Sequence, residues 1–115
     1  MPPPSHGDFV LIEFEHNDGG NPNPTDNSRS DCPGSGFQIC ITSAGIIVQI
    51  FPAYMINAAK LMLSKGAKVI ISSQTPNNPW ESGTFTYVPT RFVIYAKAVV
   101  QALGNENCVF VDHGQ

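Results

Sequence analysis

Three apolar runs mark the strands of this chain. They cover residues 9–14, 68–73 and 109–111, and in each the apolar residues are consecutive rather than alternating with polar ones. Strands of a parallel sheet that is covered on both faces have this pattern, whereas a strand with one face in water alternates. The pattern therefore predicts three short parallel strands, each buried on both faces.

A first helix is predicted over residues 53–65. Pro52 stands where the first helical turn tolerates a proline, and Gly66 stands where a helix commonly ends. The preceding run, residues 46–51, fits either a strand or the apolar entry to this helix. The two alternatives remain open from the sequence.

A second helix is predicted between Thr90, as N-cap, and Gly104 at its end. Its apolar face repeats at helical spacing: Phe92, Tyr95, Ala96, Val99 and Leu103. Residues 15–45 show no period and are rich in Gly, Pro, Asn, Asp and Ser, so they are predicted to form one long loop.

The order strand, loop, helix, strand, loop, helix, strand predicts an α/β fold with a parallel sheet. We expect a flavodoxin-like three-layer α/β/α sandwich. Residues 7–115 would form the domain, and residues 1–6, with three consecutive prolines, are predicted to be a disordered N-terminal segment.

Composition excludes several classes of protein. Only 13% of the 115 residues are charged, the net charge is −3, and Lys and Arg do not cluster, which argues against nucleic acid or an anionic membrane as partner. No apolar run is long enough to span a bilayer. The three cysteines fit no zinc-binding spacing, and we predict no metal and no cofactor.

Two of the cysteines, Cys32 and Cys40, bracket a short Gly-containing loop. The spacing fits a disulfide or two free thiols, and the sequence leaves both open. Cys108 precedes an apolar run and is predicted to be a small buried core residue.

The first strand runs into Glu13-Phe14-Glu15-His16-Asn17-Asp18-Gly19-Gly20. This segment resembles the third conserved block of the SGNH (GDSL-like) hydrolases, Gly-x-Asn-Asp. The Asn and Asp match, and Glu15 stands in place of the Gly. Further matches to this family follow in order along the chain, at residues 7–10, 31–40, 51–54, 57–60, 65–70, 72–80, 89–92 and 111–113.

The resemblance implies the SGNH hydrolase fold and an esterase that removes acetyl groups from pectic rhamnogalacturonan by a Ser-His-Asp mechanism. It implies that the Asn17 side chain donates to the oxyanion and that Asp18 supports the loop. A turn-capping role for Asn17 is the alternative. Glu15 either opposes the oxyanion charge or points to solvent.

The family's Gly-Asp-Ser nucleophile and Asp-x-x-His base have no match in this chain, since Phe9 follows Asp8, and His113 is adjacent to Asp112. We therefore expect the chain to be the central portion of the domain, incomplete at both ends, and to have no acetylesterase activity by itself. His16 and His113 are interpreted as structural or exposed histidines.

A second loop, after the middle strand, carries Asn77, Asn78 and Trp80. Ligands of open α/β sheets bind beyond the carboxyl ends of the strands, so these residues are candidates for contact with substrate. Trp80 either stacks on a sugar ring or anchors the Pro-rich loop by packing.

By resemblance, the partner is acetylated pectic polysaccharide and the location is extracellular. We also expect the chain, if it folds, to be a monomer. A catalytically inactive remnant that binds carbohydrate through the Trp80 loop is the alternative function.

Overall fold

The computed structural model describes residues 2–14, 24–25, 32, 34 and 38–114. Within these residues the chain forms, in order, β1 (Phe9–Ile12), β2 (Ile39–Ile41), β3 (Ile47–Gln49), α1 (Phe51–Ser64), β4 (Lys68–Ser72), α2 (Arg91–Leu103) and β5 (Cys108–Val111).

Strands β1, β4 and β5 form one parallel sheet with β4 in the centre. The register pairs Leu11 with Ile70 and Ile70 with Val109. The predicted α/β fold with a parallel sheet is confirmed.

Both helices lie on the same face of this sheet. The chain crosses from β1 through α1 to β4, and then through α2 to β5, always in the same direction across the sheet. Right-handed crossovers in one direction place their helices on one face. The core between the helices and the sheet is apolar: Ile12, Phe51, Met55, Ala59, Val69, Ile71, Phe92, Ala96, Val99 and Cys108.

The prediction that β1 is buried on both faces is wrong for the described residues. Phe9 and Leu11 are 69% and 64% exposed, and Val109 and Val111 of β5 are each 47% exposed. Alternate residues of a strand point to opposite faces, and the described helices cover only one of them. The opposite face of the sheet is therefore an exposed apolar surface.

Helix α1 begins two residues earlier than predicted. The run at residues 46–51, which fitted either a strand or the start of the helix, contains both a strand and the first helical residue. Residues 47–49 are strand, and the helix starts at Phe51 with Pro52 in its first turn. At the other end Lys65 is the C-cap, and Gly66 has φ +82°, which suits a glycine just beyond a helix.

Helix α2 has the predicted bounds and the predicted N-cap residue. Thr90 occupies the N-cap position, and its side chain makes no capping hydrogen bond. The C-cap, Gly104, has φ +54°, and its N–H donates to the Val100 carbonyl at 3.2 Å. The apolar face is buried as expected at Phe92, Ala96 and Val99, and Val93 is buried with them.

The prediction of one structureless loop over residues 15–45 is also wrong in part. Strands β2 and β3 pair antiparallel, with Cys40 opposite Val48. A tight turn joins them: the Gly45 N–H donates to the Thr42 carbonyl at 2.9 Å, and Gly45 has φ +80°. The residues between 15 and 38 are described only at 24–25, 32 and 34.

A disulfide joins Cys32 to Cys40, which decides between the two alternatives that the sequence left open. The Tyr95 hydroxyl of α2 donates to the Gly34 carbonyl inside this disulfide loop. Cys108 is a buried free thiol, as predicted, and burial raises its pKa.

Candidate functional site

A polar cluster occupies the carboxyl ends of the three parallel strands. Glu13 follows β1, Ser73 and Thr75 follow β4, and Asp112 and His113 follow β5. Because the strands are parallel and adjacent, their ends meet at one edge of the sheet, the edge where open α/β folds bind ligands. We call these five residues the strand-end cluster.

Ser73 fixes the end of β5 against the end of β4. Its side chain is fully buried; its Oγ donates to Asp112 Oδ1 at 2.9 Å and accepts the His113 N–H at 2.7 Å. Asp112 Oδ1 also accepts the Gly114 N–H at 3.0 Å. This part of the cluster is a rigid hydrogen-bonded unit, because each buried polar group in it has a partner.

Glu13 links β1 to the other two strand ends. Its Oε1 accepts the Thr75 hydroxyl at 2.9 Å, and its Oε2 lies 3.0 Å from His113 Nδ1. The Thr75 hydrogen bond is the largest influence that lowers the Glu13 pKa, and His113 acts in the same direction. Burial opposes the shift without cancelling it.

A cavity of about 190 Å³ lies beside the cluster, between the loop after β4 and the start of α2. Its lining is mixed polar and apolar: Gln74, Pro76, Asn77, Asn78, Thr86, Tyr87, Val88, Thr90 and Val93. In this region Gln74 Oε1 and Thr90 Oγ1 are buried, and neither has a hydrogen-bond partner among the described residues. Two of the predicted substrate-loop residues, Asn77 and Asn78, therefore line a cavity.

Trp80 lies outside that lining and is 60% exposed. Its indole meets the Phe85 ring edge-on, with the ring centroids 5.4 Å apart. The backbone N–H of Trp80 donates to Asn78 Oδ1 at 3.0 Å, so the Asn78 side chain caps the turn that carries the tryptophan. The predicted loop residues thus divide between the cavity and an exposed aromatic pair.

The predicted oxyanion donor, Asn17, lies outside the described residues, as do Asp18, Glu15 and His16. Their roles stay predictions. In the sequence this segment follows Phe14 and Glu13, the latter a member of the strand-end cluster.

Sequence reasoning missed the clustering of Glu13, Ser73 and Thr75 with His113. Glu13 and Ser73 stand at the ends of predicted strands, and Thr75 and His113 lie two residues beyond predicted strands, so position near a strand end was the available signal. The sequence did not show that Glu13 would pair with a histidine 100 residues away. In the described part of the chain, no three His, Cys, Asp or Glu side chains come together as a metal site. Nor does any helix there have the length and apolar character needed to cross a membrane.

The described residues form a parallel α/β sheet with polar side chains at its carboxyl edge. The SGNH hydrolases belong to the general class of proteins with this architecture. No family model matches the chain. Rhamnogalacturonan acetylesterase of Emericella nidulans is 57% identical to it over 111 residues. The alignment covers 94% of this chain and 44% of that relative, so the chain spans less than half of the relative's length.

This similarity confirms the resemblance to an SGNH-type acetylesterase that was drawn from the sequence. The relative implies the SGNH hydrolase fold, in agreement with the observed parallel sheet and its helices.

Proposed function

We propose that this chain is the central portion of an SGNH-type carbohydrate esterase that removes acetyl groups from pectic rhamnogalacturonan. The observation that carries the proposal is the 57% identity to a rhamnogalacturonan acetylesterase over 94% of the chain. The parallel sheet, with polar groups at its carboxyl edge, is the scaffold that such an activity needs.

The mechanism proposed for the complete protein is nucleophilic acyl transfer. A serine attacks the acetyl carbonyl, a histidine oriented by an aspartate accepts its proton, and water then hydrolyses the acetyl-enzyme. Asn17 supplies one hydrogen bond to the oxyanion in both steps. Asp18 holds the loop that carries Asn17. The nucleophile and its base come from parts of the complete protein that match no segment of this chain.

The proposed setting follows from the same relative. A protein that deacetylates plant pectin works outside the cell, so we propose a secreted protein whose partner is acetylated pectic polysaccharide. We expect the complete protein to be a monomer and to need no cofactor.

The test begins with the complete transcript. We expect it to encode a Gly-Asp-Ser block upstream and an Asp-x-x-His block downstream, and its product to release acetate from acetylated rhamnogalacturonan. A complete product without acetate release would overturn the proposal. The control is the same product with its serine replaced by alanine, which should lose most of its acetate release.

The exposed position of Trp80 favours a second function, carbohydrate binding without catalysis. An indole that is 60% exposed, with Phe85 supporting one edge, presents an apolar face of the kind on which sugars stack. Under this alternative the chain binds pectin fragments and Trp80→Ala abolishes binding, whereas Leu61→Ala, an exposed apolar change on α1, leaves it intact. Absence of binding by the parent chain excludes the alternative.

A further inference from the structure

His113 is held at two points. Its backbone N–H donates to the buried Ser73 Oγ at 2.7 Å, and its ring Nδ1 lies 3.0 Å from Glu13 Oε2. The second oxygen of Glu13 is occupied by Thr75 at 2.9 Å, so the carboxylate is fixed from both sides. The imidazole is therefore oriented by a carboxylate that is itself oriented.

The partner of Nδ1 determines what Nε2 can do. An ionised carboxylate only accepts hydrogen bonds, so the neutral imidazole that faces it carries its proton on Nδ1. Nε2 then holds a free lone pair. The His113 side chain is 54% exposed, which leaves the ring accessible from the carboxyl edge of the sheet.

The contribution of the Glu13–His113 pair to folding stability does not by itself account for the pair. Ion pairs between partly exposed side chains contribute about 0–1 kcal/mol. The end of β5 is already joined to β4 through Ser73 and Asp112, without the imidazole ring. What Glu13 adds is a defined tautomer and a defined ring direction.

We propose that Glu13 and His113 form a carboxylate–imidazole dyad whose Nε2 is a general base, a proton-accepting site separate from the Ser-His-Asp machinery. His113 is the catalytic residue of the dyad and Glu13 its positioning residue. The substrate class, acetyl esters, rests on the proposed function. The tautomer of His113 does not depend on the proposed function.

The step balances with water as the only co-reactant. Nε2 accepts a proton from water while the water oxygen bonds to the acetyl carbonyl carbon. When the tetrahedral intermediate collapses, the bond from that carbon to the alcohol oxygen breaks. The alcohol oxygen takes the proton from Nε2, which yields a free hydroxyl group and regenerates the neutral imidazole. The other product, acetic acid, releases its remaining proton to water and becomes acetate.

The direct test is the ring tautomer, read from the two ring-nitrogen NMR signals of the 115-residue chain at pH 8. We expect His113 to be mainly the Nδ1–H form, and Glu13→Ala to shift it to the Nε2–H form that histidine favours in water. Glu13→Gln, which keeps an acceptor oxygen, should give an intermediate result. A majority of Nε2–H in the parent chain overturns the proposal, and this reading stands even if a variant fails to fold.

The second test is hydrolysis of 4-nitrophenyl acetate by the same chain at pH 8. His113→Gln should lower the rate at least about tenfold, since general bases contribute factors of this size or more. His6→Gln, a change at an exposed histidine outside the cluster, should leave the rate unchanged. Equal rates for the parent and His113→Gln overturn the dyad. Loss of acetate release by the complete protein would count against the proposed function instead.

Discussion

At the scale of single residues, Glu13 joins the three parallel strands at their carboxyl ends. Its two oxygens bind Thr75 after β4 and His113 after β5. Nothing in the local sequence around Glu13 indicates this, because both partners are distant in the chain. The pattern located the strand ends, and the fold brought them together.

Thr75→Val should raise the Glu13 pKa, because it removes the hydrogen bond that lowers it most. In the folded parent this pKa lies below its ordinary value of 4.5. The carboxylate therefore adds stability above about pH 4.5, and this is lost as pH falls through the folded pKa. We therefore expect the unfolding free energy of Thr75→Val to fall less than that of the parent between about pH 6 and pH 3, as measured by urea titrations.

The matched control for that prediction is Thr84→Val, at an exposed threonine whose carbonyl, rather than its hydroxyl, accepts neighbouring hydrogen bonds. Its acid dependence should equal that of the parent. If Thr75→Val also behaved like the parent, the Thr75 hydroxyl would not be the main cause of the Glu13 shift.

Phe51→Ala should cost about 3–5 kcal/mol of unfolding free energy, the range for a buried aromatic side chain. Phe51 is 4% exposed and packs edge-on against Phe92, with centroids 5.5 Å apart, where α1 meets α2. Leu61→Ala, on the same helix but 53% exposed, should cost well under half as much in the same urea titrations. Equal costs would mean that this contact does not belong to the core.

At the scale of elements, the helix ends were predictable because their signals are local. Thr90, Gly104 and Gly66 stand at or next to the observed caps. The β2–β3 hairpin was not predictable in the same way. Its strands have three residues each and lie beside a disulfide, and neither periodicity nor propensity identifies so short a pairing.

The Cys32–Cys40 disulfide should stabilise the described fold through the small loop that it closes. On the chain-entropy model, Cys32→Ser with Cys40→Ser should lower the unfolding free energy by about 2.5 kcal/mol. Reductant should reproduce the loss in the parent and have no effect on the double variant. A double variant as stable as the parent would show that the bridge constrains nothing that folding needs.

At the scale of the whole molecule, one face of the sheet is covered by helices, and the other exposes Phe9, Leu11, Val109 and Val111. Continuous apolar runs predicted strands covered on both faces. Among the described residues, helices cover only one face of the sheet, because both crossovers run in the same direction. Sequence pattern indicates that a residue is suited to burial, whereas the rest of the fold decides what covers it.

The exposed apolar face should make the 115-residue chain self-associate when it is studied alone. Leu11→Lys with Val109→Lys should reduce association measured by sedimentation velocity, because the two charges lie within that face. Leu61→Lys with Ile94→Lys places the same charges on exposed helix positions and serves as control. If the helix variant reduced association equally, a general charge effect would be responsible rather than the sheet face.

We propose above all that Asn17 donates to the oxyanion in an acetylesterase. The most direct measurement is acetate release from acetylated rhamnogalacturonan by the complete protein and by its Asn17→Ala variant. We expect kcat to fall about 100- to 1000-fold in the variant, the usual loss for one oxyanion donor, while Asn105→Ala, at a surface turn before β5, changes it little. An unchanged kcat in Asn17→Ala, or no acetate release by the parent, would contradict the account.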